Sequence, residues 1–184
     1  WFNIIQPSEL PFNPAQVKRD FWIDGAFTDK MENDESAQMT TTFYKGNLYI
    51  FNANGVRKEL NEYLEYIVPY FKEMGYRPTS NVFIELKASG YGFFSMLKQP
   101  KYGRRNCVKI NSKVVAYGKL NRVENSQPTL ASGKVFLVAG GWNAPFIEQC
   151  CNFPNDLHDD MLDLLCYAIH HHFIDEDDID VSYS

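Results

Sequence analysis

The sequence predicts an α/β fold in which a three-stranded antiparallel meander joins parallel strands in one mixed sheet, with helices on its faces. Three observations predict it. Residues 18–52 carry β-rich stretches with a Lys45-Gly46 dipeptide between two of them. Residues 56–75 switch to a helical apolar repeat. Beyond them, short and nearly continuous apolar runs alternate with helical stretches, which is how buried parallel strands and their crossovers read. With 184 residues, 45% apolar and 15% aromatic, the chain can bury the core of one domain.

The elements follow in order. Residues 1–17 hold Pro7, Pro11 and Pro14 without a clear period and read as an arm or linker remnant. Residues 18–24 form a strand stopped by Gly25, and 28–35 a polar loop. Strands at 36–44 and 47–52 make a hairpin through Lys45-Gly46. Leu60, Tyr63, Leu64, Ile67, Val68 and Phe71 repeat at helical spacing, so 56–75 is an amphipathic helix with Gly75 beyond its end. Pro69 inside it predicts a kink or break. Residues 81–86 are a buried strand, 89–97 a helix and 107–110 a strand. Residues 118–131 predict a helix whose end Pro128 disturbs, 133–138 a strand and 143–151 a short helix. Residues 155–173 form the last helix. The domain proper is therefore 18–174, and 175–184 reads as an acidic, disordered tail.

No apolar run approaches the ~20 residues of a membrane span, and nothing reads as a secretory signal. The four cysteines lack CxxC spacing and read as free thiols in a reducing compartment. His170-His171-His172 reads as a cationic helix end.

A net charge of −5 argues superficially against a nucleic-acid partner. The tail alone holds five acids and no base, so the remainder is neutral. Within it, Lys87 to Lys134 carries ten bases and one acid, Glu124. Such a concentration is the footprint of a phosphate backbone, or else a solvated basic face.

The carboxylates carry the chemistry. Asp24 ends the first predicted strand, and Glu85 lies within the apolar run 82–86, where an ionised group is costly unless paired or metal-bound. Asp159, Asp160 and Asp163 share a side of the last helix through their i, i+3 and i, i+4 spacing. Each has an ordinary explanation. Asp24 suits a turn, Glu85 a lysine partner, Asp159 and Asp160 a helix N-terminus, and Asp163 solvent. Jointly these explanations weaken, because a mixed sheet sets the first strand beside the one after the crossover helix. Asp24 and Glu85 then neighbour each other, and the last helix can bring Asp160 between them. Converging carboxylates need divalent cations, and oxygen-only ligands select Mg²⁺ or Mn²⁺ over zinc. Two such ions ~4 Å apart serve in-line phosphodiester hydrolysis.

Glu85-Leu-Lys-Ala-Ser-Gly90 after an apolar strand resembles the E-x-K-A-S-G segment of phage terminase large subunits. Lys119-Leu-Asn-Arg122, Gln127-Pro128 and Gly133-Lys-Val resemble their K-x-x-R … P-L … G-x-V stretch. Phe153-Pro154, His158-Asp-Asp-Met-Leu-Asp163 and Tyr167-Ala168 resemble their closing F-P … H-D-D-x-x-D-A-L-x-Y-A. Asp24-Gly-Ala-Phe-Thr28 and Asp34 match the opening D-x-A-x-T … D-x-S-A less closely. Glu85 stands where many relatives have Asp, and Leu164 where Ala is usual.

The resemblance implies a ribonuclease H-like nuclease domain, without the ATPase part, since no G-x-x-x-x-G-K-[ST] is present. It implies a DNA endonuclease with little sequence specificity, cutting concatemeric double-stranded viral DNA with Mg²⁺ or Mn²⁺, two ions in number. Asp24, Glu85 and Asp160 would be catalytic metal ligands, with Asp159 and Asp163 beside them and Asp34 accessory. Lys87 would bind the scissile phosphate or balance the carboxylates. Lys119 and Arg122 would contact the DNA backbone, as would Arg104 and Arg105 less strongly. The portal and the small terminase subunit would be partners of the full-length protein in the host cytoplasm. A junction resolvase or transposase of the same fold, or a non-catalytic docking module, are the competing readings.

Overall fold

The computed structural model describes residues 2–25, 35–86, 90–103, 105–155 and 159–174. Among them, seven strands form one mixed sheet. They are β1 (Asn3–Ile5), β2 (Asp20–Asp24), β3 (Ser36–Tyr44), β4 (Asn47–Val56), β5 (Asn81–Ile84), β6 (Asn106–Lys109) and β7 (Val135–Val138), in the order β1-β7-β4-β3-β2-β5-β6. The meander β2-β3-β4 is antiparallel, and β5, β6, β7 and β1 join it in parallel pairings. The hairpin turn is the expected pair, with Lys45 and Gly46 both at positive φ (49° and 76°), the geometry that matches strand twist.

Among the described residues six helices cover the sheet: α1 (Leu60–Glu73), α2 (Gly90–Leu97), α3 (Ser112–Ala116), α4 (Lys119–Ala131), α5 (Asn143–Asn152) and α6 (Asp160–Ile169). A π-helical turn over His170–Ile174 extends α6. Strand alternation divides the core. Phe21, Ile23, Val82 and Ile84 face α1 and α2, while Trp22, Met39 and Phe83 face α6. Trp22 stacks on Phe83 at 4.1 Å and donates a 2.8 Å hydrogen bond to Thr41. Residues 161–169 of α6 are all buried, because the helix lies between the sheet and α4 and α5. On the opposite face the α1 tyrosines satisfy polar strand residues: Tyr63 donates to Gln38, Tyr66 accepts from Asn54, and Tyr70 donates to Asn52.

Three expectations need revision. Residues 3–5, assigned to the N-terminal arm, form the edge strand β1 beside β7. A three-residue strand has no readable period, and its pairing is supplied by the distant β7. Pro69 and Pro128 both lie inside continuous helices, so neither ends one; packing outweighs the lost N–H. The last helix starts at Asp160, with Asp159 as its N-cap residue, rather than at 155. The short α3 was not foreseen. The acidic tail lies outside the described residues. Among the described residues no helix is long and apolar enough to cross a membrane.

Candidate carboxylate active site

Strand parity sets the site. In β2, Asp24 shares its face with Trp22; by the same alternation Glu85, one residue past β5, shares its face with Phe83. That face is the one α6 covers. Asp24 and Glu85 sit at the same end of two parallel neighbours, with Ile23 registered to Ile84 and the Glu85 amide donating to the Ile23 carbonyl at 3.0 Å. Ligand-binding groups collect at such strand ends, where side chains leave the sheet but keep its rigidity.

Helix α6 brings further acids. Gln149 on α5 accepts a 2.9 Å bond from the Met161 amide and so pins the start of the helix. Glu85 and Asp163 are almost wholly buried, at 1% and 3% exposure. Asp24 is held well above the usual carboxylate range, first by burial, then by the close approach of Glu85 and the charges of Glu85, Asp160 and Asp163. Four acids thus crowd one corner of the fold.

Asp159 and Asp163 have basic partners as well. Lys119 contacts both, reaching Asp163 Oδ2 at 2.7 Å. Burial pulls the Lys119 ammonium down, but the two carboxylates outweigh it and hold its pKa above the ordinary value. Arg122 donates to Asp163 Oδ1 through Nη2 (2.5 Å) and Nε (3.2 Å). Its Nη1 donates to the carbonyls of Tyr117 (2.6 Å) and Val115 (3.2 Å).

This revises the expected roles of two bases. Arg122 is 3% exposed, with its guanidinium engaged by a carboxylate and two carbonyls, so it is a buttress and not a free contact for a DNA backbone. Lys119 is likewise committed to Asp159 and Asp163. Spacing placed both on one helix face, but it did not show that this face packs on α6. Arg105 lies over the rings of Tyr76 (4.1 Å) and Phe71 (5.5 Å). Exposed bases in the stretch include Lys98, Lys101, Lys109, Lys113 and Lys134. Lys87, Arg104 and Asp34 lie outside the described residues.

The donor set is oxygen-only and rich in negative charge, which suits Mg²⁺ or Mn²⁺ and does not suit zinc. Asp24, Glu85 and Asp160 are the groups that could hold such ions. Among the described residues, no three acidic, histidine or cysteine side chains are arranged as a metal-holding cluster. Cysteine is no competing nucleophile at this site. Burial pushes the Cys107 thiol up to about 11 and Cys166 to about 12. Sequence reasoning missed Gln149, for which it offers no signal. It also gave no role to Tyr167, although that residue's i+4 spacing from Asp163 sets it on the acidic side of α6.

A mixed sheet with this strand order, and carboxylates gathered where β2, β5 and α6 meet, defines a ribonuclease H-like domain. Residues 72–172, more than half of the chain, match the family model described as the terminase RNase H-like domain. The chain belongs to that family. Solved structures agree on the fold. The large terminase of a thermophilic bacteriophage is 12% identical, with a TM-score of 0.60 over 92% of this chain. The chain spans 42% of that protein's length. The nuclease domain of the bacteriophage SPP1 large terminase, solved with bound Mn, is 15% identical with a TM-score of 0.55, covering 92% of this chain and 96% of that one. The human cytomegalovirus terminase nuclease domain is 11% identical with a TM-score of 0.59, covering 86% of each chain. No curated protein matches the sequence.

Proposed function

We propose that this domain is a metal-dependent DNA endonuclease of a viral packaging terminase, cutting double-stranded concatemers with little sequence specificity. One observation carries the reading. Asp24 and Glu85, on adjacent parallel strand ends, share a corner with Asp160, and burial together with these charges holds Asp24 well above the usual carboxylate range. A fold gains nothing from such repulsion, whereas a divalent cation relieves it. The SPP1 and cytomegalovirus nuclease domains, solved with bound or soaked Mn, support the choice of ion.

Asp24, Glu85 and Asp160 would hold two Mg²⁺ or Mn²⁺ ions. When bound, such ions activate a water nucleophile and neutralise charge on the leaving oxygen. The chain's own residues do the rest. The sheet fixes Asp24 and Glu85 relative to each other, and the Gln149 bond fixes the start of α6. Arg122 and Lys119 absorb the charge of Asp163 and Asp159, so the first turn of α6 can stand against the other acids. The exposed lysines of 98–134 supply backbone attraction, and no base-reading element accompanies them. We place the reaction in the infected cell's cytoplasm, in keeping with four free cysteines. A portal and a small subunit are the partners proposed for the full-length protein.

Plasmid nicking with Mn²⁺ tests the reading. The parent domain should nick, and Asp24→Ala and Asp160→Ala should each lose at least roughly a hundredfold in rate, on the order seen when a ligand is removed. Variants as active as the parent would sink the assignment. Cleavage of branched DNA in strong preference to linear DNA would instead favour a resolvase.

A further inference from the structure

The tyrosines of the α1 face each place their hydroxyl against a polar partner. Tyr167 on α6 does not. It is 1% exposed, and its hydroxyl is buried without a hydrogen-bond partner among the described residues. A phenylalanine would fill the same space without leaving a polar atom unsatisfied, so the oxygen needs an explanation.

Its position supplies one. Tyr167 follows Asp163 by four residues and Asp160 by seven, which sets the three on one side of α6. The Arg122 guanidinium carbon lies 5.2 Å from the centre of its ring, so Tyr167 packs directly behind the Arg122–Asp163 pair. The charges that act on the hydroxyl are those of Glu85, Asp163, Arg122 and Asp24, and burial with the acids drives its pKa well above the ordinary phenol value. At neutral pH a phenol is protonated and serves as a donor. Asp163 already accepts from Arg122 with one oxygen and from Lys119 with the other. Of the acids that act on the hydroxyl, Glu85 acts most strongly, and strand alternation puts it on the sheet face that α6 covers.

We propose that Tyr167 is a positioning residue of the carboxylate site, whose hydroxyl donates to Glu85 and fixes the orientation of that carboxylate toward a bound divalent cation. The proposal rests on the metal-dependent reading above. Donors of this kind hold a ligand's orientation and are worth on the order of 10–100-fold in metal affinity or activity. Where no cation orients Glu85, a buried donor left without its acceptor would cost stability.

Tyr167→Phe separates these effects. Mn²⁺ binding is measured by calorimetry on the parent and the variant, and thermal unfolding is followed with and without Mn²⁺. The variant should bind Mn²⁺ roughly tenfold more weakly. Its metal-free Tm should rise by about 2–4 °C, since removal of an unsatisfied hydroxyl relieves the cost it imposes. In nicking assays kcat should fall with KM for DNA unchanged. A purely structural tyrosine would lower the metal-free Tm and leave Mn²⁺ affinity alone, and that result overturns the proposal. A parent that binds no Mn²⁺ would overturn the underlying metal-dependent reading, whereas a parent that binds with an equally tight variant overturns the role of Tyr167 alone.

Discussion

Replacing Arg122 with alanine tests whether this residue is a buttress or a DNA contact. The structure gives its side chain four hydrogen bonds, two to Asp163 Oδ1 and one each to the carbonyls of Val115 and Tyr117. Both members of the ion pair have side chains only 4% exposed. Breaking a buried pair by deleting one partner costs about 3–5 kcal/mol, because the other charge is left behind. Lys119 remains near Asp163 and offsets part of that loss, so the lower end, about 3 kcal/mol, is the expectation for Arg122→Ala. For a chain of this size about 1 kcal/mol shifts Tm by 2–4 °C, which gives a fall of roughly 6–12 °C. Lys119→Ala should cost about 1 kcal/mol or less, since Lys119 and Asp159 are a quarter exposed and water replaces the contact. The assay is thermal unfolding of the three proteins, with DNA affinity measured at several salt concentrations. If Arg122 contacted DNA instead, Arg122→Ala would leave Tm unchanged and reduce the slope of log affinity against log salt by about 1. That pair of results would refute the buttress.

Two further expectations follow from local geometry. Gly90 opens α2, and a Cβ there would collide with the Glu85 carbonyl oxygen, a backbone atom that cannot swing aside. Gly90→Ala should cost about 1–3 kcal/mol and displace Glu85, lowering both Tm and Mn²⁺-dependent nicking; retention of both would disprove the constraint. His172 stacks on Phe43 at 4.5 Å, and burial, then the charges of His171 and Lys18, hold its pKa down at about 3. The unfolded chain takes up the proton near pH ~6.5 and the folded one does not, so stability should fall between those values at no more than about 1.4 kcal/mol per pH unit. Urea unfolding of parent and His172→Phe between about pH 7 and 4 checks this, and parallel profiles would exclude His172 as the cause.

The pattern of elements was open to sequence reading because periodicity is local. A Lys-Gly pair between alternating strands, and apolar residues at helical spacing in 60–71, report structure within a few residues of themselves. The acids were legible for a related reason. Glu85 stands out because an apolar strand has no local use for a carboxylate, and Asp24 because it ends a strand that needs no charge there. What spacing could not say is whom a charge meets. Lys119 and Arg122 form an i, i+3 basic pair, as expected of a DNA-binding helix, and the same spacing equally suits two salt bridges to a packed neighbour.

The mixed sheet, the crossover helix, the carboxylates and the resemblance to terminases are all readable along the chain, because strand and helix periods and residue chemistry are local. Long-range packing is what wraps α6 with α4 and α5 and adds residues 3–5 to the sheet. It also sets Asp163 against Arg122 and Lys119. The reason is that burial and charge pairing depend on which surfaces meet across long stretches of chain, a distance that no local pattern spans.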